Sequence, residues 1–95
     1  MTCTFLARFR VKEDKQAEFE ALAAEMEAIA KTEPETLGYK FYKLAEPGMY
    51  AVFESFTSEA GDKAHMENPL NVPLIEKVIG CMEGTYSREY LYDLA

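Results

Sequence analysis

The sequence is poor in the side chains that build most recognisable active sites. It contains one histidine, two cysteines and no tryptophan. Cys3 and Cys81 are too few and too far apart for a zinc or thioredoxin-type motif, which needs closely spaced pairs, so we expect two free, buried thiols. No cluster of metal ligands, glycine-rich phosphate loop or nucleophile elbow is present either. These absences leave few candidate chemistries.

Long apolar runs and basic clusters are also missing. No segment approaches the ~20 apolar residues of a membrane span, and Arg8 and Arg10 stand where a signal peptide would be apolar. We therefore expect a cytoplasmic protein. The net charge is −7 and the lysines and arginines are scattered, so the chain should repel nucleic-acid phosphates and anionic lipid. Neither nucleic acid nor a membrane is an expected partner.

The length and composition predict one small folded domain. The sequence is 48% apolar and 28% charged, which is typical of a globular protein and excludes disorder. A domain of 95 residues buries only about 60 to 65% of the surface of its unfolded chain, so its margin of stability is thin. We expect a single domain over residues 1–95 that associates with a partner.

Strands are predicted from apolar residues that alternate with polar ones. Alternation of this kind covers residues 2–12 near the start and residues 85–94 at the end of the chain. Two runs rich in tyrosine and phenylalanine, 37–44 and 49–56, flank the turn sequence Glu46-Pro47-Gly48 and predict a hairpin.

Helices are predicted where the apolar spacing changes to the helical period. Residues 14–31 form an amphipathic pattern with glutamates on the opposite face. A second helix is expected over residues 59–67, where Asn68-Pro69 interrupts it, and a further helical piece over 73–80. The resulting element order is βαββαβ.

This order predicts an α+β fold of the ferredoxin-like type, an antiparallel plait with both helices on one face of the sheet. The other face would carry Leu6, Tyr42 and Leu44 and would be left in water. A second copy that packs sheet against sheet would cover it, so we expect a homodimer of the dimeric α+β barrel type.

His65 is the strongest catalytic candidate. It lies on the second predicted helix, nine positions after Phe56. Phe56 is the last residue of an apolar strand that could form the wall of a pocket. Imidazole is the only side chain whose unperturbed pKa lies near neutral pH, so His65 could act as a general base there. The alternative is a packing or capping histidine.

Several short motifs together resemble one family. Their order along the chain is similar to that of the antibiotic biosynthesis monooxygenase domain, and the motifs are Phe9-Arg10-Val11-Lys12, Glu33-Pro34, Glu54-Ser55-Phe56, His65 and Asn68-Pro69. The resemblance covers nearly the whole chain. It implies a dimeric α+β barrel that uses molecular oxygen without flavin, metal or haem, as quinol monooxygenases and anthrone-type oxygenases do.

The sequence also departs from that family. Phe56 stands where many members carry tryptophan, and Glu33-Pro34-Glu35 replaces the usual Glu-Pro-Gly. The haem-degrading relatives use an asparagine, a tryptophan and a histidine at positions that match Ala7, Phe56 and His65. Only the histidine is kept, which argues against haem degradation.

The resemblance implies a cofactor-independent monooxygenase of a small electron-rich aromatic such as a quinol, phenol or anthrone. In this hypothesis His65 removes a proton and Arg88 stabilises the resulting phenolate. The expected substrate-binding residues are Ala7, Phe9, Phe41, Phe56 and Tyr86.

Each assignment has a structural alternative. The phenylalanines could simply fill the core, the tyrosines could serve the sheet or the dimer contact, and Arg88 could pair with a carboxylate. For Glu54 we expect a structural pair with an arginine or lysine. Two other functions remain open, a non-catalytic ligand-binding or stress-related dimer and a protein that binds haem through His65.

Overall fold

The computed structural model describes residues 1–95. Strand β1 is followed by a 3₁₀ turn and helix α1, then by the hairpin β2 and β3, helices α2 and α3, and two short strands. The bounds are β1 Cys3–Val11, the 3₁₀ turn Glu13–Lys15, α1 Gln16–Ala30, β2 Thr36–Lys43, β3 Met49–Phe56, α2 Glu59–Glu67, α3 Val72–Cys81, β4 Met82–Glu83 and β5 Arg88–Tyr90.

The strands form one antiparallel sheet in the order β2-β3-β1, and β4 and β5 both pair with the remaining edge of β1. Inward-facing residues alternate along β1, as the sequence pattern predicts, and are Cys3, Phe5, Ala7, Phe9 and Val11. The helices cover this inner face. The predicted α+β, ferredoxin-like fold is therefore confirmed, while the dimer remains a prediction.

The last strand differs from the prediction. Residues 85–94 were expected to form one strand, but pairing is confined to β4 and β5, separated by a segment that begins at Gly84. Gly84 has a φ of +83°, which takes the backbone out of the extended region. Pairing stops after the Leu91 amide donates to the Thr4 carbonyl, because β1 begins at Cys3 and offers later residues no partner.

The first helix starts later than expected. Its predicted first residues, from Asp14, form a 3₁₀ turn instead, and α1 then buries one stripe of side chains, Phe19, Leu22, Ala23, Met26 and Ala30. All of these except Ala30 join the main core, together with the inner face of the sheet and the buried side of α3, which supplies Leu74, Val78 and Cys81. Both cysteines are buried and free, as expected.

The position of α2 depends on Gly61. A Cβ built on this glycine would lie 3.1 Å from the Cβ and the carbonyl oxygen of Glu35 and 3.1 Å from the Cβ of Phe56. The absence of a side chain therefore lets α2 approach the segment between α1 and β2. His65 lies one helical turn later on the same face, so this close approach brings its imidazole to Glu33.

None of the helices is long and apolar enough to span a membrane.

Candidate functional site

An apolar cavity lies between the inner face of the sheet and helices α2 and α3. Its free volume is about 50 Å³. Most of the lining is aliphatic, aromatic or methionine, and the polar exceptions are few. The lining residues are Ala7, Phe9, Met26, Tyr39, Phe41, Val52, Glu54, His65, Met66, Ile75, Val78, Ile79, Met82, Tyr86 and Arg88.

The sheet register explains why a cavity forms here. Ala7 pairs with Val52 on one side and with Arg88 on the other, and Val52 pairs with Phe41. The neighbouring inward positions on β1 are the large residues Phe5 and Phe9. A single methyl group between two phenylalanines leaves a depression in the middle of the sheet, and this depression is the floor of the cavity.

His65 enters the cavity from α2 and is only 2% exposed. Its Nδ1 lies 2.8 Å from Glu33 Oε1, on the side away from the cavity floor, and its ring packs against Tyr39 and Phe56 with centroid distances of 4.7 and 5.4 Å. These contacts fix the plane of the ring. The other nitrogen, Nε2, is directed towards Glu54.

The Glu33 carboxylate accepts hydrogen bonds on both oxygens. Oε1 accepts from His65 Nδ1 and from the Thr36 hydroxyl at 3.0 Å, while Oε2 accepts from the amides of Asn68 and Asn71 at 2.9 and 3.0 Å. Burial by itself would raise the pKa of Glu33, but the hydrogen bonds from Asn68 and His65 outweigh it and hold the pKa below its usual range. Glu33 is therefore an anion at neutral pH.

The network assigns the histidine tautomer. Asn71 Nδ2 donates to Glu33 Oε2 and to the His65 carbonyl at 3.0 Å, so both of its protons are used and its 3.2 Å approach to Nδ1 is not a donated bond. Because Glu33 is ionised, Nδ1 carries the proton that points to it. In this tautomer the lone pair of the ring is on Nε2, on the side of the cavity.

Glu54 is the second ionisable group in the cavity. It is 9% exposed, its Oε1 has no hydrogen-bond partner, and this oxygen lies 3.9 Å from His65 Nε2. Burial, partly opposed by Arg88, raises the pKa of Glu54 to about 8. The structural pair with an arginine or lysine that we expected is absent, so that expectation was wrong.

Arg88 is already paired. Its Nη1 and Nη2 donate to Asp62 Oδ2 and Oδ1 at 2.6 and 3.2 Å, and its guanidinium lies over the Phe5 ring, 4.0 Å from the centroid. Burial disfavours the charge on Arg88, but the hydrogen bond to Asp62 more than offsets it and raises the pKa of the guanidinium. Arg88 reaches the cavity wall as half of an ion pair rather than as a free cation.

Six of the seven site residues expected from the sequence line this one cavity. They are His65, Arg88, Ala7, Phe9, Phe41 and Tyr86. Phe56 does not line it, because its side chain is fully buried behind the imidazole in a small cluster with Cys3 and Phe5. Its contact is with the ring of His65 and not with the cavity.

Sequence reasoning missed Glu33 and Tyr39 as parts of the site and misjudged Glu54. The signal for Glu54 was present, since it stands among Tyr50, Val52 and Phe56 on the inward side of β3, where an acidic residue is out of place. Tyr39 alternates with Phe41 in the same way on β2. Burial and then the Glu54 carboxylate raise the pKa of Tyr39, which stays a neutral phenol.

The cavity is too small for a whole aromatic ring as it stands. A cavity of roughly 150 Å³ holds benzene, whereas this one offers about 50 Å³. Three lining side chains, Met66, Ile79 and Tyr86, are more than a third exposed and lie at the opening. A ring would reach His65 only if side chains at this opening moved aside.

No group of three or more histidine, cysteine, aspartate or glutamate side chains is arranged to hold a metal ion.

Comparison with solved structures supports the fold over the whole chain. Rv0793 from Mycobacterium tuberculosis is 21% identical, with a TM-score of 0.89 over 100% of this chain and 97% of that one. A proposed antibiotic biosynthesis monooxygenase from Caulobacter crescentus CB15 is 27% identical, with a TM-score of 0.89 over 99% and 91%. Another, from Nitrosomonas europaea, is 17% identical, with a TM-score of 0.89 over 98% and 90%.

No protein of curated function matches the sequence significantly. The family model described as antibiotic biosynthesis monooxygenase, in contrast, matches residues 3–70, which include β1, the hairpin, Glu33, Glu54 and His65. The resemblance noted in the sequence is thereby confirmed, and the chain belongs to the antibiotic biosynthesis monooxygenase family.

Proposed function

We propose that this protein is a cofactor-independent monooxygenase that oxidises a small electron-rich aromatic, of the quinol, phenol or anthrone type, with molecular oxygen. The observation that carries the proposal is the buried His65, held by an ionised Glu33 at Nδ1 and directed by Nε2 into an apolar cavity. Such a substrate can supply an electron to oxygen once it has lost a proton. The protein then needs only a base, a dry pocket and access for oxygen.

His65 would take the hydroxyl proton of the substrate at Nε2. The imidazolium that forms is stabilised by the Glu33 carboxylate at 2.8 Å, and the surrounding wall of Phe9, Phe41 and Val52 keeps bulk water away from the anion. A general base of this kind contributes about 10²- to 10⁴-fold to the rate. Arg88 adds positive potential to the wall, although Asp62 balances most of its charge.

Oxygen uptake with a reduced quinone such as menadiol tests the proposal. We expect uptake above the background oxidation rate for the protein, and a loss of about 10²- to 10⁴-fold for His65→Gln. Lys63→Ala, an exposed change on the same helix, serves as the matched control and should behave like the unmodified protein. If the protein binds the ring but leaves the oxygen uptake at background, the non-catalytic alternative is favoured instead.

The site geometry lends no support to haem binding. His65 lines a cavity of about 50 Å³, and a porphyrin could reach Nε2 only if α2 and α3 separated from the sheet. A Soret shift on titration with haem that disappears in His65→Gln would contradict this conclusion.

We also propose that two copies pack through the outer face of the sheet. Leu6 and Phe53 are partly exposed on this face, and Tyr42 is 47% exposed. Covering them would remove an apolar surface from water. Light scattering should give the mass of a dimer for the protein and that of a monomer for Leu6→Glu.

A further inference from the structure

Glu54 is a buried acid that takes no part when His65 removes the first proton from the substrate. It lies on β3 between Phe5 of β1 and Tyr39 of β2 in the sheet register, and its unpartnered Oε1 faces the cavity. Leaving a buried carboxyl oxygen without a hydrogen bond is costly, and native proteins rarely do so without a functional reason. A bound molecule with an oxygen directed at this group would supply the hydrogen bond.

The separation of Glu54 and His65 fits a single bridging atom. The 3.9 Å between Oε1 and Nε2 is too long for a direct hydrogen bond. An oxygen atom placed between them can lie within hydrogen-bond distance of both groups. A substrate oxygen in this position would donate to His65 Nε2 and accept from a protonated Glu54.

Burial keeps Glu54 protonated, and the charges around it do not reverse this effect. His65 and Asp62 approach it from α2, Arg88 from β5, Glu33 from the segment after α1, and the neutral Tyr39 from β2. Arg88 is the one cation that would favour ionisation, and Asp62 engages both of its terminal nitrogens. Burial therefore dominates, and at neutral pH the pKa of about 8 leaves Glu54 as a neutral acid with a proton to give.

We propose that Glu54 is the catalytic acid of the second half of the reaction, the group that turns the outer oxygen of a substrate peroxide into water. This inference rests on the proposed monooxygenase function. It divides the work between two residues, with His65 as the base that removes protons from the substrate and Glu54 as the acid that delivers one to the leaving oxygen.

The atoms and electrons balance with these two groups alone. After His65 takes the first proton, the substrate anion reduces oxygen by two electrons as the carbon–oxygen bond forms, and that proton returns to give a hydroperoxide. His65 then removes the hydrogen from the same carbon. The electrons of that carbon–hydrogen bond form the carbonyl, the oxygen–oxygen bond breaks, and hydroxide leaves with the proton of Glu54 as water.

Protonated His65 then returns its proton to Glu54, and the site is restored. The sum is one substrate and one oxygen molecule giving one oxygenated product and one water. Both hydrogens lost by the substrate leave in that water, so the cycle needs no reductant and no net proton exchange with solvent. A dry cavity with two acid–base groups 3.9 Å apart is suited to this balance.

The variant Glu54→Gln separates the two halves of the reaction, because an amide keeps the shape and can donate a hydrogen bond but cannot transfer the proton. We expect oxygen uptake with menadiol within about threefold of the unmodified protein, while the hydroxylated product per oxygen consumed falls from near one to below about one half. The hydroperoxide should instead lose hydrogen peroxide by cleavage of its carbon–oxygen bond, so the missing oxygen should be recovered as peroxide together with an equal amount of unhydroxylated quinone. Glu76→Gln, an exposed change on α3, should keep the ratio near one.

Three results would overturn the inference. An unchanged product ratio in Glu54→Gln would show that another group supplies the proton, with the monooxygenase function intact. Loss of oxygen uptake to the level of His65→Gln would place Glu54 before the oxygen step. Uptake by the unmodified protein no faster than background would overturn the proposed function and this inference together.

The unmodified protein offers a second measurement that does not depend on how the variant folds. The acid form of Glu54 is lost as the pH rises through about 8, so the product ratio should fall and peroxide should appear between pH 7 and about 9, after subtraction of the background oxidation measured without protein. A ratio that stays constant over this range would contradict the role of Glu54.

Discussion

Nδ1 of His65 lies 2.8 Å from Oε1 of Glu33, and this contact joins the second helix to the segment that follows the first. Three further donors, from Thr36, Asn68 and Asn71, hold the same carboxylate. The carboxylate therefore sets both the tautomer and the direction of the imidazole. The reactivity proposed for His65 depends on a residue 32 positions earlier in the sequence.

Replacing Glu33 by glutamine should uncouple the histidine from this network. The glutamine NH₂ group would replace one of the two accepting oxygens and would meet hydrogen-bond donors there. The imidazolium would also lose the negative charge that stabilises it. We expect a fall in kcat of roughly 10- to 10⁴-fold, the upper limit being that seen when the carboxylate behind a catalytic histidine is made neutral. The ¹⁵N shifts of the ring should change from one tautomer to a mixture.

The neighbouring Glu35 provides the control for that experiment. Its carboxylate bonds to the exposed Thr57 hydroxyl and not to the imidazole. Glu35→Gln should leave kcat and the ¹⁵N shifts unchanged. An equal loss of activity in both variants would mean that Glu33 acts through the fold and not through the ring.

Adding a methyl group at Gly61 should move the catalytic helix. The new Cβ would lie 3.1 Å from Glu35 and Phe56, so α2 must shift outwards and the contact between His65 and Glu33 must lengthen. We expect a loss of about 1–3 kcal/mol in the free energy of unfolding, as for an overpacked core, together with lower activity. Urea denaturation and oxygen uptake measure the two effects.

Gly80→Ala is the matched control, because nothing lies within 4 Å of its added Cβ. Because glycine is unfavourable in a helix, this variant should raise the free energy of unfolding of the protein by up to about 0.5–1 kcal/mol. If both alanine variants had the same stability, the close approach at Gly61 would not be what positions α2.

Filling the floor of the cavity should block the substrate. Ala7→Leu places a larger side chain between Phe5 and Phe9, in the depression beneath His65. We expect weaker binding of an aromatic ligand, at least tenfold by calorimetry, with a stability change below about 3 kcal/mol. Ala21→Leu on the exposed face of α1 should bind as the unmodified protein does, and equal binding by the two variants would place the ligand elsewhere.

Glu54 should make the protein less stable as the pH rises. Its pKa is raised from 4.5 to about 8 in the folded state, so the folded chain holds a proton that the unfolded chain releases. Its contribution is fully present below pH 4.5 and is lost as the pH rises to about 8. The Tm of Glu54→Gln should therefore rise relative to the unmodified protein over this range and run parallel to it above. A constant difference would contradict the raised pKa.

Removing the negative charge of Asp62 should lower the pKa of Glu54. Asp62 raises that pKa directly and also engages Arg88, whose charge lowers it. In Asp62→Asn both effects favour the Glu54 carboxylate. The side-chain ¹³C titration of Glu54 should shift to lower pH. The ratio of hydroxylated product to oxygen consumed should then begin to fall at a lower pH as well. A titration that shifts upwards would show that Arg88 moves away once it is released.

The sequence alone determined the elements that depend on local pattern. Alternation along β1, the helical stripe of α1, the Glu-Pro-Gly turn and the Asn-Pro break are all properties of neighbouring residues, and they were enough for the ferredoxin-like order. The resemblance to the family, rather than spacing alone, indicated His65 and most of the cavity wall. The final strand was misjudged because its extent depends on where β1 offers a partner.

Only the tertiary structure decided the chemistry of the site. Glu33, Glu54 and Asn71 become parts of it because segments far apart in the sequence meet, and no spacing rule connects them. The same holds for Arg88, whose charge is available or paired according to the position of Asp62 in space. The protonation of an acid depends on burial and on the charges within a few ångströms of it, and both are properties of the folded chain.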